Sequence, residues 1–173
     1  ISQGDHKTPE GIYQLQQFFS DTDLLKQYGN EGMQYGAGAF TLNYPNIIDQ
    51  HEGKTGGGIW IHSTDDNTRV AKGLDSKGCI VIVDQDLRDI SQFVELENST
   101  VVVVQELNFL AESTWKRTSD DLLAVIENWR KAWEDEDHGK YISFYHPEKF
   151  RDSFRGRYQH FSLYKKNVFS QPG

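Results

Sequence analysis

The 173-residue chain has one cysteine, one methionine and four prolines. A single thiol excludes an internal disulfide and any metal site built from several cysteines. No apolar run approaches the roughly 18 residues that a membrane-spanning helix needs. Positive charge is in short supply: 18 Lys and Arg stand against 26 Asp and Glu, a net charge of −8. That balance argues against nucleic acid as the main partner. Internal repeats and low-complexity tracts are missing too. Aromatic residues are plentiful, at 13%, and support a packed core rather than disorder. A chain this long buries roughly two-thirds of its unfolded surface and needs no staples. The length allows one full domain, or one domain and a fragment.

The charge is unevenly distributed. Residues 1–118 carry 9 basic and 17 acidic side chains, whereas 119–173 carry 9 of each and 139–173 carry 7 and 2. This divides the chain into two expected domains, 1–116 and 117–173, although a chance gradient gives the same numbers. Ile1 opens the chain without Met or a signal-peptide pattern, which reads as a mature or trimmed chain.

The first part reads as short strands broken by glycine and turns. Thr8–Tyr13 is a turn entering a strand, and Ser20–Tyr28 is a helical turn stopped by Gly29. Ala37–Leu42 and Gly58–His62 read as strands. Gly78–Val83 and Thr100–Gln105 are β-branched runs, expected to be buried strands. Asp84 is placed to cap a helix carrying Leu87, Ile90 and Val94. The expected fold class is mainly β, a sandwich or barrel with one or two helices, followed by a C-terminal helical segment. There, Ser119 caps a helix with Leu122, Ile126, Trp129 and Trp133 on one stripe, fraying at Glu134–Asp137 and stopped by His138-Gly139. Tyr141, Phe144 and Tyr145 form a shorter stripe limited by Pro147. Phe150, Phe154, Tyr158 and Phe161 step as a third helix.

The chemistry centres on Cys79, in Ser76-Lys77-Gly78-Cys79-Ile80, and on His62, 17 positions earlier. Two neighbouring strands joined by a loop can set imidazole beside thiol. A free thiol is only a few per cent thiolate at neutral pH, and an imidazole raises that fraction or takes the proton during attack. Gly78 allows close backbone approach, and the N–H groups around Gly78 and Cys79 are candidates for an oxyanion hole. On spacing alone, a buried structural cysteine and a hydrogen-bonded core histidine fit equally.

The wider pattern carries a resemblance. His62, sixteen intervening residues and Ser76-x-Gly78-Cys79 resemble the active-site signature of the L,D-transpeptidase catalytic domain family. Gly4-Asp5-His6-Lys7-Thr8-Pro9-Glu10-Gly11-Ile12-Tyr13 resembles an early strand of that family. Leu42-Asn43-Tyr44-Pro45-Asn46 and Gly56-Gly57-Gly58-Ile59-Trp60-Ile61-His62 resemble the approach to its histidine. The match covers about residues 1–110. It implies a fold secreted to the periplasm or cell envelope and acting on peptidoglycan stem peptides. It implies attack by a cysteine on the bond between the third stem residue and D-Ala. The acyl group then passes to an amine, giving a 3–3 cross-link, or to water, as in L,D-carboxypeptidases. Transfer to an amine is the expected reaction, being the commoner outcome in the family, while Val81 and the tail point toward the hydrolytic alternative. By position Cys79 is the nucleophile, His62 the base, and the Ser63 carbonyl orients the imidazole. Ser76 and Gly78 shape the oxyanion loop, while Lys77, Tyr44 and Trp60 are substrate-binding candidates. No cofactor and no metal is implied.

The chain departs from the pattern at three places. Ser63 and Lys77 stand where many members have Gly and His, and Val81 where many have Arg or Asn. Lys77, Arg69 or Lys72 would then supply charge for a substrate carboxylate, though each also reads as a solvated surface cation. The tail, through Trp129-Arg130-Lys131-Ala132-Trp133, Asp137, Tyr141, Phe144-Tyr145 and Phe150, resembles the opening helices of a nuclear-transport-factor-like fold. Some peptidoglycan enzymes join the two modules, one of them a carboxypeptidase with a cell-shape role. Alternatively, three amphipathic helices simply pad the catalytic domain.

Two motifs fail. Gly53-Lys54-Thr55 ends like a P-loop, but Ile48 occupies the required earlier glycine position. His51-Glu52 is not a zinc motif, because Thr55 replaces the second histidine. Gly53–Gly58 reads instead as a mobile loop and lid before the catalytic strand. Two rival functions share these residues: a hydrolase releasing wall-anchored protein, and a non-catalytic wall-binding scaffold. Oligomeric state is not legible.

Overall fold

The computed structural model describes residues 1–73, 76–152 and 156–171, with side chains at 151 and 152 left aside. The chain divides into two units, Ile1–Leu107 and Asn108–Gly173.

The first unit runs β1 (Gly11–Ser20), α1 (Asp21–Tyr28), a 3-10 helix (Gly29–Tyr35), β2 (Gly38–Leu42), α2 (Ile47–His51), β3 (Trp60–His62), α3 (Thr68–Lys72), β4 (Ile80–Val81), α4 (Asp84–Ser91) and β5 (Thr100–Val103). Five strands form one sheet in the order β4-β3-β2-β1-β5. All pairs are antiparallel except β3 with β4. A parallel pair cannot be closed by a tight hairpin; it needs a crossover, and here that segment carries α3.

Alternation builds the core. On β1, Tyr13 and Leu15 are buried while Ile12, Gln14 and Gln16 face outward, the period-two pattern of a half-buried strand. Phe40, Leu42, Tyr44, Ile59, Ile61 and Leu87 complete the cluster. Burying one such leucine contributes about 1.5–3 kcal/mol. Ser20 caps α1: its hydroxyl accepts from the Asp23 N–H, and the Asp23 carboxylate accepts from the Ser20 N–H. Asn46 and Asp49 form the same reciprocal cap on α2.

Several expectations are corrected. The chain is 45% helical and 16% strand, so mainly β describes neither the whole chain nor the helix-flanked mixed sheet of the first unit. The short helices α2 and α3 have no periodic signature long enough to read. Thr100–Gln105 is not an interior strand: β5 lies at the sheet edge, and Val102 is 59% exposed. Four consecutive valines alternate between faces and leave half of them outward. The Gly78–Val83 run pairs only at Ile80–Val81, on the opposite edge. Asp84 does not cap α4. Val83 occupies the cap position, and the Asp84 carboxylate instead accepts the Ala37 N–H at 3.0 Å.

The second unit contains α5 (Glu112–Glu134), α6 (His138–Ser143), the two-stranded β6 (Arg151–Asp152) and β7 (Gly156–Arg157), and α7 (Tyr158–Phe169). Helix α5 starts at Glu112 rather than after Ser119, with no side-chain cap. His138-Gly139 begins α6 instead of ending α5, because the Asp137 carboxylate accepts the Lys140 N–H at 3.0 Å. The third helix begins at Tyr158; Phe150 precedes it, and Phe154 lies outside the described residues. Tyr141, Ala132 and Phe161 form the centre of this core. The Trp129 indole donates to the Tyr145 hydroxyl at 2.9 Å, which donates to Tyr141 at 2.8 Å. No described helix is long and apolar enough to cross a membrane.

Candidate active site

Strands β3 and β4 carry the site. Their register pairs Ile61 with Ile80 and His62 with Val81. Side chains two apart share a face, so Cys79, one residue before β4, projects to the same side as His62 and Trp60. The Cys79 Sγ lies 3.5 Å from the Gly58 carbonyl oxygen, and the Trp60 main-chain N–H donates toward it. The thiol is half-buried. Burial pushes it above the ordinary thiol range, a shift only partly offset by the Trp60 N–H.

His62 is 5% exposed, and its Nδ1 lies 2.5 Å from the Ser63 carbonyl oxygen. A carbonyl only accepts, so Nδ1 carries the proton and Nε2 keeps the lone pair. Burial is the largest influence on His62 and lowers it below its ordinary value of 6.5; the Ser63 carbonyl opposes this, and the Arg69 charge adds to it. Both shifts favour the uncharged forms, imidazole and thiol.

The turn before Cys79 is held by Ser76. Its hydroxyl donates to the Cys79 carbonyl at 2.7 Å and accepts the Gly78 N–H at 3.3 Å. Gly78 has φ +110°, and a Cβ there would meet the Lys7 carbonyl oxygen at 3.0 Å. Only glycine fits this approach of the N-terminal segment to the loop before Cys79.

A cavity of about 180 Å³ opens beside Cys79, lined by Thr8, Arg69, Val70, Ser76 and Val81 among others. Of the three cations considered from sequence, Arg69 lines it. Lys77 lies with Tyr44 in a separate hollow against residues 1–7, and Lys72 is exposed on α3. Tyr44 is buried, and its hydroxyl donates to the Thr55 carbonyl at 3.1 Å. It ties down the Gly53–Gly58 loop, as does Lys54, whose ammonium lies 2.8 Å from Asp49 and 3.0 Å from Glu52. Trp60 stands in an aromatic wall with Phe19, Tyr28 and Tyr35.

The sequence missed Tyr35. Its ring meets the His62 imidazole edge-on, with centroids 4.9 Å apart. It lies 27 positions from His62 in a 3-10 helix whose local pattern carries no catalytic signal. Among the described residues, no three His, Cys, Asp or Glu side chains converge as a metal site would require.

Comparison with known proteins agrees with this geometry. Residues 1–104 match the L,D-transpeptidase catalytic domain, YkuD, and residues 121–172 match the Cds6 C-terminal NTF2-like domain. No curated protein matches significantly. Among solved structures, the chain is similar to Bd1075 of Bdellovibrio bacteriovorus, with 35% identity and a TM-score of 0.77 over 96% of this chain and 59% of that one. It is also similar to the helical cell shape determining protein Pgp2 of Campylobacter jejuni, with 31% identity and a TM-score of 0.72 over 98% of this chain and 55% of that one. The chain thus spans little more than half the length of these relatives. With more than half its residues matched by the catalytic-domain family, and with His62 and Cys79 on one face of the sheet, the chain belongs to the L,D-transpeptidase family.

Proposed function

We propose that this chain cleaves the bond between the third residue and D-Ala of peptidoglycan stem tetrapeptides through a thioester on Cys79, in the cell envelope. The observation that carries the reading is the parallel register that sets His62 and Cys79 on one face, with Nδ1 of the imidazole bonded to the Ser63 carbonyl.

His62 Nε2 takes the thiol proton while Sγ bonds to the carbonyl carbon of the third stem residue. The developing oxyanion meets the Cys79 main-chain N–H, while the Gly78 N–H stays with the Ser76 hydroxyl and fixes the loop. The C–N bond to D-Ala breaks, and the imidazolium returns its proton to the departing amine. An acceptor then attacks the thioester, giving its proton to Nε2, and the sulfur leaves as the thiol. Arg69 meets a substrate carboxylate in the cavity, taking the place that Val81 cannot fill.

Two acceptors complete the cycle. Water yields a tripeptide; an amine of a second stem yields a 3–3 cross-link. Val81, apolar where many family members carry a polar group, and the match of the tail to an NTF2-like domain support water. Likeness to a helical cell shape determining protein supports a role in cell shape. Purified disaccharide tetrapeptide incubated with reduced protein separates the outcomes. Tripeptide with free D-Ala supports hydrolysis, and 3–3 dimers support transfer. Intact substrate with reduced Cys79 contradicts both and leaves a wall-binding role.

A further inference from the structure

We infer that Tyr35 is a positioning residue for the His62 imidazole, and that the Ser63 hydroxyl is the latch that holds Tyr35 in place. The inference rests on His62 acting as base to Cys79.

The latch is built from three hydrogen bonds. The Ser63 Oγ donates to the Tyr35 carbonyl oxygen at 3.1 Å and accepts the Ala37 N–H at 2.6 Å. That same N–H reaches the Asp84 carboxylate at 3.0 Å, so α4 joins the fastening. Between them the chain passes directly over Ser63 at Gly36, which has φ +56°. A Cβ there would meet Asp84 Oδ1 at 2.5 Å, Ser63 Oγ at 2.6 Å and the Thr64 nitrogen at 2.6 Å. The segment is thus drawn onto a fully buried serine at a position only glycine can occupy.

What the latch holds is the Tyr35 ring. It stands at 82° to the imidazole, a T-shaped contact, and is backed by Trp60 with centroids 5.3 Å apart. Residue 63 therefore acts on the imidazole twice. Its carbonyl fixes Nδ1, and its hydroxyl, through Tyr35, fixes the plane of the ring. With both set, Nε2 has one direction. A glycine at position 63 supplies the carbonyl but not the latch. The phenol of Tyr35 also lies within electrostatic reach of the sulfur: burial pushes it up, and the Cys79 charge adds to the shift. The charged and titratable groups acting on Tyr35 and His62 are Tyr28 from α1, Glu31 from the 3-10 helix, Arg69 from α3 and Cys79 beside β4.

The test compares wild type with Tyr35→Leu, Tyr35→Phe, Ser63→Ala and His62→Ala. Thermal melting checks the fold, D-Ala release gives kcat and KM, and iodoacetamide alkylation of Cys79 is followed across pH. Tyr35→Leu lowers kcat about 100-fold with KM within about twofold, as misplacement of a reacting group does. Its alkylation profile moves toward that of a free thiol. Ser63→Ala lowers kcat about 10-fold, the scale of one lost hydrogen-bonded fastening. Tyr35→Phe keeps the ring and recovers most of the rate. Wild-type kcat and alkylation in folded Tyr35→Leu and Ser63→Ala overturn the positioning role. If Tyr35→Leu does not fold, Ser63→Ala alone carries the test. Unchanged kcat and alkylation in His62→Ala overturn the base assignment itself, and the inference with it.

Discussion

The Ser63 carbonyl oxygen lies 2.5 Å from His62 Nδ1, and this one contact decides which imidazole nitrogen is basic. Because the carbonyl can only accept, the lone pair sits on Nε2. Burial then keeps the ring neutral below its ordinary titration range.

A pH prediction follows with a definite sign. A lowered imidazole pKa keeps the base unprotonated to lower pH, so the acidic limb of kcat/KM falls below 6.5. Burial pushes the thiol pKa up, so with His62 taking the proton during attack the rate does not follow the thiol's own titration. His62→Ala lowers kcat about 100-fold or more, the scale of general-base removal. An acidic limb well above 7 contradicts the neutral resting pair.

Gly78→Ala tests the nucleophile loop. At φ +110°, with the Lys7 carbonyl oxygen 3.0 Å from the new Cβ, the loop must shift. The backbone strain costs about 1–3 kcal/mol. A lower melting temperature and a reduced rate of Cys79 acylation are expected together. An unchanged rate of acylation would show that the loop conformation does not matter to the chemistry.

Arg69→Ala tests the carboxylate contact. A hydrogen bond to a charged group contributes about 1.5–3 kcal/mol, so KM for tetrapeptide rises roughly 10-fold or more. Arg69→Lys recovers part of it, because Lys keeps the charge but not the planar fork. Steady-state kinetics on tetrapeptide with a free or an amidated terminal carboxylate checks the assignment. Equal sensitivity of both substrates removes Arg69 from that role.

Ser20→Ala serves as a structural control away from the site. It removes the hydroxyl half of the α1 capping box, leaves the main-chain N–H of residue 20 on the Asp23 carboxylate, and costs about 1 kcal/mol of stability. Denaturant unfolding reads that loss, while kcat stays at the wild-type value. A fall in kcat would tie α1 to the site in a way the fold does not.

The placing of His62 and Cys79 on neighbouring strands is legible in sequence from the two apolar runs and the loop between them, and the register sets both residues on one face. The helical turn that ends at Gly29 is legible for a similar reason: a glycine stop is a local signal. Tyr35 is not. Its link to His62 runs through the Ser63 hydroxyl and the turn at Gly36, and nothing local in the 3-10 helix announces it. Asp84 reads as a helix cap because it begins α4, yet its carboxylate is captured by Ala37 from 47 positions away. The valines of β5 look like an interior run because composition cannot tell an edge strand from a central one. Likewise His138-Gly139 reads as a stop, whereas the Asp137 carboxylate makes it a start. In each case a long-range or side-chain partner overrules a correct local tendency.

The most direct test is intact-protein mass spectrometry after rapid mixing with disaccharide tetrapeptide and acid quench. The account predicts a covalent adduct of the tripeptide acyl group, mapped to Cys79, forming as free D-Ala appears and missing in Cys79→Ala. Release of D-Ala by Cys79→Ala, or an adduct on any other residue, would contradict it.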